Sequence, residues 1–322
     1  MKTLLTGATG FLGGWLVSDL LDHSFEITVI RNPKSKASYR TDSQYFLKNF
    51  TEKCREEFID LFDYSAVEKI IKEVKPDAVI HMAAVGDVTV AKNNPKYTYE
   101  VSSNGTLNIL EAIRVHSPDT LFLSHTTDKV YSGNAVPFNE EMLFDPNHIY
   151  EAAKVSQEYL TKIYSESYGI RAATMRCGNY FGGYDFNFNR IVPYVIKCAI
   201  ENETVQLRSD GSFTRDFLYI KDAVSINRML LELMSGTSCP FKFGDAFNFS
   251  LEIELSVMDI VHKTLELCDS KIEVQVIGDG ASEIPNMRLD CTKSKTELGW
   301  LPKYSLEDGL YETIESYRSY LT

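Results

Sequence analysis

The sequence predicts an α/β fold: a doubly wound parallel sheet followed by a smaller, interwoven α/β part. Three observations carry this. Strand-like and helix-period segments alternate through the first half of the chain. The strand-like runs are apolar along their length, as strands covered on both faces must be. The first of them runs straight into a glycine-rich turn. In order, "KTLLTG" reads as a buried strand, "FLGGWLVSDLLDH" as a helix and "FEITVIR" as a second strand. "SAVEKIIKEV" is a helix, "PDAVIHMAA" a strand, "TYEVSSNGTLNILEAIRVH" a long helix and "TLFLSHTT" a strand. "IYEAAKVSQEYLTKIYSESY" and "RAATMRCG" complete the alternation. After Asn179 the rhythm changes to the Gly/Asn/aromatic loop "NYFGGYDFNFNR", then to mixed helices and short strands, ending in the helix "EDGLYETIESYRSYL". A large domain over 1–178 and a smaller one over 179–322 follow, with no Pro/Ser/Gly linker to sharpen the boundary.

Composition narrows the function. The 322 residues are 44% hydrophobic, enough for a large core. With 33 Lys plus Arg against 45 Asp plus Glu, the formal net charge is −12. Such a chain is a poor general binder of nucleic acid or anionic membrane, so any phosphate must be held locally by backbone N–H groups and placed arginines. The six cysteines are scattered without a CxxC pair, which favours reduced thiols over a disulfide frame or a metal site. No apolar run is long enough to span a bilayer, and "MKTLLTGATG" reads as a strand entering glycines, not as a signal peptide. The expectation is a cytoplasmic protein.

"TGATGFLGG" sets Gly7, Gly10 and Gly13 between the first strand and first helix. Glycine permits the tight turn and lets a pyrophosphate approach the backbone, while the helix N-terminus supplies N–H donors. Strand, turn and helix together point to a Rossmann-type dinucleotide site. The second strand ends in Arg31, with Lys34 and Lys36 behind it, where an acid would bind the ribose hydroxyls of NAD. Arg31 there slightly favours the 2′-phosphate of NADP; the plainer reading is a solvated basic loop. Asp60 stands where it can meet the adenine, or else cap the helix that starts just beyond it.

Tyr150 and Lys154, in "YEAAK", lie four apart on a helix and share a face. A phenolate stabilised by a nearby cation can take a proton from an alcohol. Ahead of this helix, "HTTDK" sets Thr127, Asp128 and Lys129 side by side at a strand end. At an arbitrary strand end such a pair would be solvated loop residues; beside a Tyr–Lys helix it is a candidate for acid–base chemistry.

These residues, with "HMAA", "SSNGTLNILEA", "RCGNYFGG", "RDFLYIKDAV" and "LDCTKSKTELGWLPKYSLEDGL", resemble the extended short-chain dehydrogenase/reductase family of nucleotide-sugar enzymes over nearly the whole chain. The resemblance implies that Thr127 bonds the reacting sugar oxygen, that Tyr150 is the base, and that Lys154 binds the nicotinamide ribose. It implies a cofactor set of Gly7, Gly10, Phe11, Leu12, Gly13, Arg31, Asp60, Leu61, Ala83, Ala84 and Asn104, besides Tyr150 and Lys154. Asn104 looks like the family's helix asparagine. On the substrate side it implies Thr127, Asn179, Arg190, Arg215 and Arg288. The bland readings of Arg215 and Arg288 are a surface salt bridge and a loop cap. The Asp128–Lys129 pair resembles CDP-glucose 4,6-dehydratases; the branch acting on dTDP-glucose carries Asp–Glu. The implied reaction oxidises carbon 4 with tightly bound, recycled NAD(P), eliminates water across carbons 5 and 6, and returns hydride to carbon 6. Asp128 is the candidate acid. Lys129 is either the carbon-5 base or a cation that holds the enolate. Alternatives are a 4-epimerase or 4-keto reductase, which needs only Thr127, Tyr150 and Lys154, and a non-catalytic nucleotide sensor. The two long helices resemble those that pair in family homodimers through a four-helix interface.

Overall fold

The structure is a computed structural model and describes residues 1–35, 41–86, 88–131, 133–278 and 284–321. The first half supplies β1 (Lys2–Thr6), β2 (Glu26–Arg31), β3 (Arg55–Phe58), β4 (Ala78–His81), β5 (Leu121–His125) and β6 (Ala172–Cys177). Between them run α1 (Phe11–Asp22), α2 (Gln44–Leu47), α3 (Tyr64–Val74), α4 (Val88–Asn93), α5 (Pro95–Tyr99), α6 (Gly105–His116) and α7 (Ile149–Tyr168). The second half adds β7 (Asn179–Phe181), α8 (Ile191–Glu201), β8 (Val205–Leu207), β9 (Thr214–Arg215), β10 (Phe217–Tyr219) and α9 (Ile220–Ser235). It ends with β11 (Ala246–Phe249), β12 (Leu255–Ser256), α10 (Val257–Leu267), β13 (Val274–Val276), α11 (Thr292–Leu298) and α12 (Leu306–Leu321).

Among the described residues the main sheet has seven strands in the order β11-β6-β5-β4-β1-β2-β3, all parallel. Alternate residues of each strand point to opposite faces. Leu5, Val29, Ile80, Leu123 and Met175 pack with α1 residues Leu16 and Leu20 and α9 residues Ile226 and Leu230. Leu4, Ile30, Val79 and Phe122 pack on the other face with Val67 and Ile70 of α3 and Ile109 and Ile113 of α6. Each such side chain buried is worth roughly 1.5–3 kcal/mol, which explains why these strands read as unbroken apolar runs. The predicted doubly wound α/β fold is the observed one.

The strand order reverses between β1 and β4, so the carboxyl ends of these strands open a crevice. The described residues after 178 are woven into the same body. β11 pairs with β6 at the sheet edge, and α9 lies against α1. Two-stranded ribbons join β7 to β10, β9 to β12 and β8 to β13. Val195 of α8, Val205, Leu207 and Val261 of α10 form a third, smaller core under the last of these ribbons.

Candidate active site

The crevice between β1 and β4 is lined by Thr6, Gly7, Gly10, Asn32, Asp60, Leu61, Ala83, Ala84 and Tyr97. Gly7 sits at φ +78°, and a Cβ there would stand 2.9 Å from the Ala83 nitrogen. A Cβ on Gly13 would stand 2.3 Å from the Gly7 oxygen, so this glycine lets α1 seat on the turn. No side chain caps α1 at Gly10 and no acid occupies its first turn, leaving the helix-end N–H groups for an anion. Phe11 and Leu12 pack beneath: Leu12 is buried, and the Phe11 ring lies under the Arg190 guanidinium at 5.8 Å. The crevice ends are tied by Thr6, whose hydroxyl oxygen accepts from the Met82 and Ala83 N–H groups and whose hydroxyl bonds His81 Nδ1 at 2.7 Å. Burial pulls the His81 ring down to about 3, so it is neutral.

Two cofactor expectations are corrected here. Arg31 does not reach the crevice. Its guanidinium bonds both carboxylate oxygens of Glu56, at 2.9 and 2.8 Å, and lies over the rings of Phe46 and Phe58. Its position on β2 turns the side chain toward β3, and only 7% of it is exposed. The preference for NADP loses its residue. Asn32 and Ser35, which the sequence reading passed over, line the crevice instead. Lys34 is exposed and pairs with Asp60 at 3.0 Å; Lys36 lies outside the described residues. Asp60 lines the crevice, and the helix cap is Asp63, which accepts from the Ala66 N–H. Asn104 is the second correction. A π-helical turn, Glu100–Asn104, precedes α6 and leaves Asn104 exposed, while Ser102 and Ser103 face inward.

At the carboxyl end of β5, Thr127 and Asp128 are buried and Lys129 is partly so. The Thr127 hydroxyl donates to Asp128 Oδ1 at 3.0 Å, and Lys129 Nζ lies 3.6 Å from the same oxygen. Lys129 Nζ also reaches Asn179 Oδ1 at 3.5 Å. The start of α7 is fixed by His148, which accepts from the Tyr150 N–H, and by Glu151, which accepts from the Asn147 N–H at 2.7 Å. Burial pushes the Tyr150 phenol up to about 12; the Thr127 hydroxyl and the Arg190 charge pull it down, Asp128 and Glu151 push it further up. One turn on, Lys154 Nζ donates to the His125 carbonyl at 2.8 Å and to Gln157 Oε1 at 2.9 Å. Burial pulls this amine down to about 7, with the Glu158 carboxylate opposing. The lysine is therefore not what lowers the phenol in this state, contrary to expectation, because its own charge is disfavoured by burial. Glu158 in turn grips Arg176 and accepts from Thr126 at 2.6 Å, a buried network under the strand end that the sequence did not reveal.

The substrate candidates divide. Asn179 and Arg190 stand at the Tyr150–Lys129 side; Arg190 Nη1 pairs with Asp185 at 2.9 Å. Arg215 donates to the Thr214 and Ile284 carbonyls, and Arg288 lies 3.6 Å from Glu254. β9 and β12 pair Arg215 with Leu255, which places both arginines on one rim. Asp216, beside Arg215, connects this rim to the centre: its carbonyl accepts from the Asn179 N–H at 2.9 Å.

A nucleotide crevice beside a Thr–Tyr–Lys set defines a chain built like a dinucleotide-dependent dehydrogenase. The family model described as GDP-mannose 4,6 dehydratase matches residues 4–313. The chain belongs to that family, within the extended short-chain dehydrogenase/reductase enzymes that act on nucleotide sugars. A dTDP-glucose 4,6-dehydratase of Xanthomonas campestris is 27% identical over 341 residues, covering 98% of this chain and 92% of the relative. One from Escherichia coli is 27% identical over 349 residues, covering 98% and 93%. Among solved structures, a UDP-glucose 4-epimerase of Thermotoga maritima with UDP-glucose superposes with a TM-score of 0.87 at 24% identity, covering 100% of both chains. A dTDP-glucose 4,6-dehydratase of Bacillus anthracis in complex with NAD gives 0.86 at 23%, covering 99% and 97%. These likenesses establish the fold.

Proposed function

We propose that the chain is a nucleotide-sugar 4,6-dehydratase that uses NAD(P), with 1–178 holding the cofactor and 179–322 the sugar nucleotide. One observation carries the reading. Asp128 and Lys129 form a carboxylate–amine pair at the strand end, in contact with Thr127 and Asn179 and beside the Tyr150 helix. An epimerase or reductase has no task for such a pair.

Gly7, Gly10 and the first turn of α1 would hold the pyrophosphate, Asn32 and Asp60 the adenosine end, and Lys154 the nicotinamide ribose. The crevice fits this group: it is glycine-lined, uncapped and free of a carboxylate in the helix turn. With Arg31 committed to Glu56, NAD is the better match. Bound there, NAD would supply the hydride acceptor for carbon 4 and the hydride donor for carbon 6. Thr127 bonds the carbon-4 hydroxyl and Tyr150 takes its proton. The carbon-4 ketone acidifies the carbon-5 proton, which Lys129 removes or whose enolate it holds. Asp128 protonates the departing carbon-6 oxygen. Arg190, Arg215 and Arg288 would meet the diphosphate. The Asp–Lys pair favours CDP-glucose and the relatives favour dTDP-glucose.

The test is direct. Purified protein is incubated with each sugar nucleotide, without added reductant, and the product is weighed. A 4-keto sugar lighter by one water supports the reading. An unchanged mass with inverted carbon 4, or a need for NADPH, refutes it.

A further inference from the structure

Among the described residues, several buried polar atoms lack a hydrogen-bond partner, and two of them flank the Asp128–Lys129 pair. One is Asp128 Oδ2, on a residue 2% exposed. The other is the phenol oxygen of Tyr180. Tyr180 is the middle residue of β7, held in register opposite Leu218 of β10 and next to Asn179, which touches Lys129. Its polar neighbour is the Cys177 thiol, a weak partner, and the charge of Asp128 and the phenol of Tyr150 both act on it. Burial first, then these neighbours, holds the Tyr180 phenol well above 10, so it is a donor at any working pH. An orphaned buried polar atom costs about 1–3 kcal/mol. Two of them at one reacting centre mark a place where a ligand hydroxyl is meant to lie.

The two oxygens of Asp128 are not equivalent. Oδ1 accepts from the Thr127 hydroxyl and lies 3.6 Å from Lys129 Nζ. A proton on Oδ1 would stand against the Thr127 hydroxyl proton, so the acid form carries its proton on Oδ2, the oxygen that no described protein group meets.

We propose that Tyr180 is a further catalytic residue of the elimination: its hydroxyl donates to the departing carbon-6 oxygen, while Asp128 Oδ2 delivers the proton to that same oxygen. The proposal rests on the dehydratase reading. In the step, the carbon-5 proton passes to the Lys129 amine. The carbon–hydrogen electron pair becomes the carbon 5–carbon 6 double bond. The carbon 6–oxygen bond breaks with its electrons on oxygen, the Oδ2 proton joins it, and water leaves. Asp128 ends as carboxylate and Lys129 as ammonium. Tyr180 keeps its proton and stabilises the charge that develops on the leaving oxygen.

The experiment is Tyr180→Phe, assayed by quenched-reaction mass spectrometry with the sugar nucleotide that the native protein converts, and by thermal unfolding. The variant should accumulate the 4-keto sugar that retains its carbon-6 oxygen. Its kcat should fall about 10²-fold with KM within about threefold, as for loss of one transition-state donor. Its Tm should change little, because the deleted oxygen has only the weak Cys177 thiol to lose. Dehydration within about threefold of native overturns the proposal. So does a lowered Tm with carbon-4 oxidation and elimination falling together, which would make the phenol a structural partner of Cys177. Should the native protein itself dehydrate no sugar nucleotide, the dehydratase reading falls and takes this step with it. A native protein that turns over beside an unaffected variant removes Tyr180 alone.

Discussion

Lys129, Lys154 and Arg31 show how differently three basic side chains can be used around one sheet. Lys129→Met should still oxidise carbon 4 yet release no water; undiminished dehydration would remove the lysine from the mechanism. Lys154 makes a prediction about stability. Its amine is pulled from 10.5 to about 7 in the folded chain by burial. Between those values the unfolded chain binds a proton that the folded chain has released, so this site makes stability rise with pH from about 7 to about 10.5. Below about 7 its cost is constant, on the order of a few kcal/mol. Urea titrations should show the native protein gaining on Lys154→Met between those pH values; parallel curves would refute the buried, depressed amine. Arg31→Met should cost about 3 kcal/mol by stranding Glu56 and leave the NAD-to-NADP ratio unchanged. A shift of that ratio toward NAD would restore Arg31 as a 2′-phosphate ligand. The reactive residues Thr127, Tyr150 and Lys154 were legible because spacing of one or four along the chain fixes their side. Arg31 was misread because its neighbours in sequence are Lys34 and Lys36, while its partner Glu56 lies on another strand, 25 positions away.

At the scale of elements, the glycine turn and α1 behave as one rigid part. Gly13→Ala would drive a methyl into the Gly7 oxygen and the Ala8 backbone, 2.3 and 2.5 Å from the new Cβ. The helix must lift off the turn. We expect a loss of about 1–3 kcal/mol in stability and a weakening of NAD binding measured by calorimetry. Unchanged binding would detach the turn from the cofactor. The strands and long helices could be read from apolar runs and helical period, since both arise from the two-faced core. The π-helical turn ahead of α6 could not: it shifts Asn104 to the surface by a departure from 3.6 residues per turn that no local residue type announces. Tyr180 escaped for a related reason. A three-residue strand between glycines carries no periodic signal, and its partner β10 lies nearly forty positions on.

At the scale of the molecule, the outer face of α5, α6 and α7 exposes Tyr99, Leu107, Val115, Tyr159, Ile163 and Tyr168. Rows of exposed apolar residues on neighbouring helices mark an interaction surface. We propose that it is the homodimer interface. Tyr159 and Ile163 are one turn apart on α7 and about half exposed. Replacing both by Glu should convert a dimer to a monomer in sedimentation; a native protein that sediments as a monomer would rule the interface out. The seam at β11 has a different consequence. β6 is complete at Cys177, but its edge partner begins at Ala246. A ribosome adding ~5–20 residues per second needs roughly 3–14 s to cross that gap. Throughout it the nascent sheet presents an open, apolar edge in the crowded space outside the exit tunnel. The chain's exposure to chaperones and to misassembly is therefore set by the timing of a four-residue strand far downstream of the catalytic groups.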